Sequence, residues 1–391
     1  MKVKTLIILL PVLSFSLTSC EKVPNVVEIK IDNIEVISHH TAPQEEYLNA
    51  EDPMDFVNDN YNYFNNEAAG DKNITAKPAP IDINFEVTTD NGAKARSYSI
   101  RYGESEDNLD LCTTSTSIPV HLYNLKINKQ YYYRVEVNYK GKTCKSDVQS
   151  FTTNNDVGLR NMYIEGVENF RDLGGYTLEN GKHFKQGMIY RSAQFNYDAK
   201  DESAVKSKPT GNGLYELLNN LKIKTDVDFR ERENAKGKDE TIGLKDKSPL
   251  GGSVKYQYLP MRYGGSNVIT SSNNKESVLA FLNLLADEQS YPLVFHCVQG
   301  KDRTGALAYA IEALLGVSED LMKRDYLFTN FAKVGSGVTK WSSVDGTGQF
   351  PWGISHSEGA SISEKARNYL KNAVGVSDST LDKIISLLSE E

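Results

Sequence analysis

Cys297 and Arg303, six positions apart, are the two side chains in this sequence best suited to reactive chemistry. A thiol is a strong nucleophile once ionised, and a guanidinium holds two oxygens of an oxyanion with its planar fork. The apolar run Pro292 to Phe295 predicts a buried strand before them, and Thr304 to Leu315 predicts a helix with little polar surface after them. A strand, a tight glycine-containing loop and a helix point successive backbone N–H groups at one spot. The helix N-terminus adds partial positive charge there, so the spot suits an anion such as phosphate. In that field Cys297 is expected to ionise to a thiolate, with Arg303 closing the ring around the anion.

The residues His296-Cys297-Val298-Gln299-Gly300-Lys301-Asp302-Arg303-Thr304-Gly305 resemble the signature of the protein tyrosine phosphatase superfamily. The Gly-Lys-Asp-Arg-Thr-Gly form is similar to that of the bacterial tyrosine/lipid phosphatases, including the secreted mycobacterial type. Asn169 to Tyr176, Ile189 to Ala193, Asp228-Phe229-Arg230 (Phe229 in place of Leu) and Asp325-Tyr326 resemble further blocks of that family. The likeness therefore runs from about residue 165 to the C-terminus.

What the resemblance implies is a phosphatase that works without metal or cofactor, in two steps. The Cys297 thiolate attacks phosphorus, and water hydrolyses the cysteinyl-phosphate. Arg303 and the loop from Val298 through Gln299, Gly300 and Lys301 hold the phosphoryl oxygens. Thr304 donates its hydroxyl to the thiolate, and His296 orients the loop. The Trp-Pro-Asp acid loop of other tyrosine phosphatases is absent, since Trp352 is followed by Gly353 and Ile354. The resemblance implies Asp302 as general acid, although Arg303 beside it should favour the ionised form. Asp228 is the alternative acid. Asp228 and Arg230, at a predicted strand end, are either substrate-binding or a structural ion pair. Arg171-Asp172 before Gly174-Gly175 either pins a turn or meets the substrate.

Phosphotyrosine in a protein is the favoured substrate. Lys301 beside Arg303 also suits a phosphoinositide or an inositol polyphosphate. A different class of reading is a non-catalytic surface binding lipoprotein, against which the intact Cys297, Asp302 and Arg303 count.

The 391 residues leave room for two or three domains, and 39% hydrophobic with 25% charged residues is ordinary for a folded soluble chain. A net charge of −8 argues against nucleic acid or an anionic membrane surface as the main partner. Lys2 and Lys4 precede an apolar stretch, Leu6 to Leu17, shorter than the ~20 residues a membrane-spanning helix needs. Leu17-Thr18-Ser19-Cys20 resembles the lipobox of bacterial lipoproteins, which implies cleavage before Cys20 and lipidation of its thiol. The expected mature protein is tethered outside the cytoplasm by acyl chains, on the periplasmic face or cell surface of a bacterial outer membrane. Cys112 and Cys144 are then left as a possible disulfide pair.

The expected order is a signal peptide (1–19), an irregular segment (20–80), an all-β sandwich (81–153) and an α/β domain (158–391). Val26 to Ile37 alternates as a strand or hairpin does, and His39-His40 reads as solvated. From Ile81 to Thr153 short strands with period two predict the sandwich, with tyrosines in its core. The Leu122-Tyr123-Asn124-Leu125 and Tyr131 to Val135 pattern resembles a fibronectin type III-like domain. Residues 231–253 read as a charged connector. Residues 334–360, rich in glycine and carrying both tryptophans, read as a lid or an idle surface loop.

Overall fold

A computed structural model describes residues 26–34, 36, 38–60, 64, 76–154, 158–198, 205–263, 267–334 and 337–391. The leader with Cys20, and Tyr61 and Tyr63, lie outside the described residues. Strand β1 (Val26–Ile31) pairs antiparallel with β3 (Phe85–Thr89). The segment expected to be irregular instead holds two short helices, α1 (Ala42–Asn49) and α2 (Pro53–Asp59). Gln44 Oε1 accepts from the Thr41 amide, and the Asp52 carboxylate accepts from the Met54 amide, so both N-termini are capped by side chains. His40 is buried rather than solvated, and His39 is half-buried. Both bring Nε2 to the Leu159 carbonyl, at 3.3 and 2.8 Å, and fasten this segment to the α/β unit.

The next stretch is all β. Strand β4 (Ser97–Gly103) and β7 (Gln130–Tyr139) form the centre of a five-stranded sheet. It is extended by β5 (Leu111–Ser115), β8 (Lys142–Lys145) and β9 (Gln149–Thr152). A separate pair joins β2 (Ile81–Ile83) to β6 (Val120–Leu122). Along β7 the alternate residues Tyr131, Tyr133, Val135, Val137 and Tyr139 all turn into one core with Ile83, Ile100 and Val120. That is the period-two burial a half-covered sheet requires. Cys112 and Cys144 are free thiols. They sit on β5 and β8, at opposite edges of the order β5–β4–β7–β8, about 14 Å apart by strand spacing, beyond the ~7 Å reach of a disulfide.

From Leu159 the chain builds an α/β unit. Its six-stranded mixed sheet runs β10 (Arg160–Asn161), β11 (Arg171–Asp172), β13 (Ile189–Ser192), β16 (Leu293–His296), β14 (Thr225–Asp228) and β15 (Lys255–Tyr258). A further short pair joins β12 (His183–Phe184) to β17 (Ser389–Glu390). Strands β13, β16, β14 and β15 are mutually parallel, so their C-terminal ends share one edge. A short helix, α3 (Gly211–Tyr215), widens into one π-type turn through Asn220. Then come α4 (Lys275–Leu285) and α5 (Asp302–Leu315), the latter buried along every residue from Arg303 on. A helix apolar on all sides belongs in a core. It is covered by α6 (Glu319–Leu327), α7 (Phe350–Ser355), α8 (Ile362–Tyr369) and α9 (Asp378–Leu388). Gly316, at φ 89°, ends α5 in the left-handed region that favours glycine.

The tryptophan-bearing segment is packed at Trp341 and open at Trp352, which is exposed. Trp341 packs on the rings of Tyr309 and Tyr326, and Phe350 is buried beside them.

Candidate active site

The loop between β16 and α5 carries Cys297 at its start and Arg303 on the first helical turn, as the spacing predicts. Gly300 has φ 66°, and a Cβ there would meet the Ser192 carbonyl oxygen at 2.3 Å. Both the conformation and the close approach to β13 demand glycine.

The loop's carbonyls are each held from outside. The Gln194 amide donates to Val298 O at 3.1 Å, Asn169 Nδ2 to Gln299 O at 3.0 Å, and Arg191 Nη2 to Gly300 O at 2.7 Å. In a planar trans peptide the next N–H points opposite to the carbonyl. The amides of Gln299, Gly300 and Lys301 are thereby turned away from those three donors. From Val298 to Arg303 no amide donates to any acceptor among the described residues. A row of unspent donors at a helix N-terminus is an anion cradle.

The cradle forms the floor of a cavity of about 860 Å³. Cys297, Val298, Gln299, Lys301, Asp302 and Arg303 line it on the loop side. Cys297 is only 2% exposed and Arg303 4%. Arg303 Nη1 donates to Glu240 Oε2 at 2.7 Å, to Met261 O at 3.1 Å and to Phe229 O at 3.2 Å. Its Nε and Nη2 have no partner among the described residues, which leaves one edge of the fork open. Burial alone would lower the Arg303 pKa, but negative charge on Cys297 and Glu240 raises it above its ordinary value.

Asp302 departs from expectation. Burial pushes its carboxyl pKa up, and Lys301, Arg303 and a 3.4 Å contact from the Tyr326 hydroxyl oppose that only in part. The neighbouring arginine does not decide the direction, because burial outweighs its charge. A raised carboxyl pKa beside a nucleophile favours the acid form, which can deliver a proton.

Other expected residues lie off the cavity. Asp228 and Arg230 are both fully buried. Arg230 grips Asp228 in a fork, Nε to Oδ1 at 2.9 Å and Nη2 to Oδ2 at 2.7 Å, and the Tyr256 hydroxyl adds a 2.9 Å bond. Burial would raise the Asp228 pKa, but Arg230 and then His296 outweigh it and hold the carboxyl well below its usual range. This is an ion pair, unable to supply a proton. Arg230 also donates from Nη1 to the Glu240 carbonyl, at 3.2 Å, so it braces the residue that braces Arg303.

His296 is buried, with Nδ1 3.2 Å from the Cys297 carbonyl and Nε2 3.1 Å from Asp226 Oδ1. The second contact has the distance of an ion pair without the angle of a hydrogen bond. Gly300 and Thr304 do not line the cavity. The Thr304 hydroxyl makes no hydrogen bond, so the expected donation to Cys297 is not made. Asp172 pins a turn, accepting from the Gly174 and Gly187 amides at 2.8 and 2.7 Å and pairing with Arg160.

Sequence reasoning missed the opposite wall. The segment 231–253, read as a connector, supplies Asn234, Lys236, Lys238, Asp239, Glu240 and Ile242 to the cavity. Tyr263, 58% exposed, stands at its edge, its pKa raised first by the charge of Asp302 and then by burial. The density of charge in this segment was its only signal.

The profile described as "Tyrosine phosphatase family" matches residues 162–390. A protein of Cupriavidus necator, whose name assigns it provisionally to the tyrosine-protein phosphatases, is 26% identical over 210 residues, 50% of this chain and 72% of its own length. The catalytic core of the PP-IP phosphatase SIW14 from S. cerevisiae, in complex with citrate, overlaps at 18% identity and a TM-score of 0.29. It covers 54% of this chain and 90% of that one. P. aeruginosa TpbA in complex with phosphotyrosine overlaps at 18% identity and a TM-score of 0.26, covering 53% and 89%. Overlaps this loose carry no conclusion, whereas the family match spans more than half the chain. The protein belongs to the tyrosine phosphatase family and is a phosphoric monoester hydrolase.

Proposed function

We propose that the protein hydrolyses phosphomonoesters through a cysteinyl-phosphate on Cys297, with phosphotyrosine in proteins as the favoured substrate. The observation that carries this reading is the buried sulfur on the floor of a cavity, beside a row of undonated amides and an arginine with one edge free. In the first step the Cys297 Sγ–P bond forms as the ester P–O bond breaks. The Asp302 carboxyl gives its proton to the leaving oxygen. In the second step water attacks phosphorus, the S–P bond breaks, and the Asp302 carboxylate takes the water's proton. Throughout, the loop amides and the open edge of Arg303 bind the equatorial oxygens, whose charge grows in the transition state.

A second reading, a phosphoinositide or inositol polyphosphate as substrate, is favoured by Lys236, Lys238 and Lys301 on the cavity wall. A phosphotyrosine peptide assayed against a phosphoinositide and an inositol polyphosphate separates the two. Hydrolysis of p-nitrophenyl phosphate that persists in a folded Cys297→Ser variant would refute the mechanism.

The remaining proposals concern placement. The shared core of the sheets in residues 81–153 supports a fibronectin type III-like sandwich that acts as a spacer. The Leu17 to Cys20 motif supports a lipid anchor outside the cytoplasm, on the periplasmic face or cell surface. Release of the protein from the membrane fraction by Cys20→Ala tests the anchor.

A further inference from the structure

Beneath the phosphate loop lie four buried ionisable side chains from four elements: Arg171 of β11, Arg191 of β13, Glu312 of α5 and Asp325 of α6. None of them lines the cavity. The Asp325 carboxylate stands between the two guanidiniums. Its Oδ1 is 2.9 Å from Arg171 Nε, and its Oδ2 accepts from Arg191 Nη1. The first contact has ion-pair distance but not hydrogen-bond alignment.

Each arginine reaches a loop carbonyl. Arg191 does so directly, through Nη2 to Gly300 O at 2.7 Å. Arg171 does so through one relay: Nη1 donates to Asn169 Oδ1 at 2.7 Å, and Asn169 Nδ2 donates to Gln299 O at 3.0 Å. These are two of the three carbonyls whose outward orientation turns the following amides toward the anion. Gly305 is part of the same construction. A Cβ there would come within 2.9 Å of the Tyr326 ring and 3.3 Å of Arg191 Nη2, so only glycine leaves α5 open to the arginine.

We propose that Asp325 is the positioning residue that presets the phosphate loop, by clamping Arg171 and Arg191 so that each pins one loop carbonyl. The physical reason is like-charge repulsion in a dry site. Two buried guanidiniums repel, and Arg171 carries the effect: burial and then the charge of Arg191 lower its pKa to about 10. One carboxylate shared between them cancels that repulsion and sets the direction of both forks. Glu312 does not substitute for it, because its two oxygens have no hydrogen-bond partner. Burial, followed by the charge of Asp325, pushes its carboxyl toward the neutral form. Helix α6 is in turn fixed from outside: Arg324 donates to Tyr47 O at 3.0 Å and to Ala50 O at 2.8 Å, so α1 backs the clamp.

The inference rests on the reading that the loop holds the phosphoryl group, and the test keeps the two apart. The full-length protein and its Asp325→Asn variant are compared for kcat/KM on p-nitrophenyl phosphate and for inhibition by tungstate, an oxyanion that needs no chemistry to bind. The isosteric but neutral side chain is expected to lower kcat/KM about 100-fold and to weaken tungstate by a similar factor. A residue that only stabilises the fold would lower Tm and leave both per-molecule quantities unchanged. Asn169→Asp guards against loss of folding. It tolerates the φ of +57° at this position but removes the donor to Gln299 O, and about a 10-fold loss in both quantities is expected. Folded Asp325→Asn with both quantities within about two-fold of the parent overturns the clamp. If Asp325→Asn does not fold, Asn169→Asp within the same limit overturns it. If the parent enzyme is insensitive to tungstate and Cys297→Ser keeps its activity, the reading of the site fails and the clamp falls with it.

Discussion

Two neighbouring strands of one sheet, β14 and β16, each lead into a nearby aspartate and arginine, and the two pairs have opposite fates. After β14, Arg230 spends its fork on Asp228 two residues away, and the result is a closed, fully buried ion pair. After β16, Arg303 ignores the adjacent Asp302 and pairs with Glu240 from a distant loop. One edge of its guanidinium stays open to the cavity, and Asp302 is left without a strong cation partner. The carboxyl pKa values accordingly move in opposite directions, down for Asp228 and up for Asp302. Residue type does not separate structural from reactive groups here. Partner choice does.

The comparison breaks first at Arg303. Arg303→Lys keeps the charge but loses the fork, and kcat/KM on p-nitrophenyl phosphate should fall by about 10³. Arg230→Lys should cost far less activity per folded molecule, because its fork faces no substrate. Equal losses in steady-state assays would erase the distinction between the two arginines.

Asp302→Asn should lower kcat by about 10² on phenyl phosphate, whose leaving oxygen needs a proton, and by less on p-nitrophenyl phosphate. The parent's kcat should decline as pH rises through the elevated Asp302 pKa, since the acid form donates the proton. The asparagine variant should lack that limb in its pH profile. A profile unchanged by the substitution would remove Asp302 from the mechanism.

The smallest effect on activity belongs to Asp228→Asn, with kcat/KM per folded molecule within about three-fold of the parent. Stability should suffer instead, by about 3–5 kcal/mol at pH 7, because Arg230 is left buried and unpaired. The sign follows from linkage. A folded-state pKa below the unfolded value of about 3.9 gives stability that is complete above that pH and is lost as pH falls through the folded value. Asp302 has the opposite sign, because its raised pKa costs stability as pH rises through the folded value. Urea titrations of the parent and both variants, from neutral to acid pH, separate the two contributions.

The sequence showed the phosphate loop clearly because everything needed for it is contiguous. The strand, glycine, thiol, arginine and helix lie within Leu293 to Leu315. The α/β class and most strands were legible for the same local reason. The partners of Arg303 and the clamp on Arg191 were not, since Glu240, Asn169 and Asp325 arrive from separate stretches of chain. The state of Asp302 could not be read from its neighbour either, because burial outweighs the adjacent charge. Helix α1 was missed despite the readable Thr41-x-x-Gln44 cap. It is short and largely exposed, with Gln44 and Tyr47 as its buried residues. Residues 334–360, read as a lid or an idle surface loop, divide in the structure: Trp341 and Phe350 pack beside Tyr309 and Tyr326, and Trp352 is exposed.

The central claim is that the Cys297 sulfur bonds to phosphorus during turnover. Acid quenching during steady-state hydrolysis, followed by mass spectrometry of the peptide that carries Cys297, tests it most directly. A phosphate adduct on that cysteine, absent without substrate, is the predicted result. Sustained turnover with no adduct on Cys297, and with the parent's rate kept by Cys297→Ser, would contradict the account.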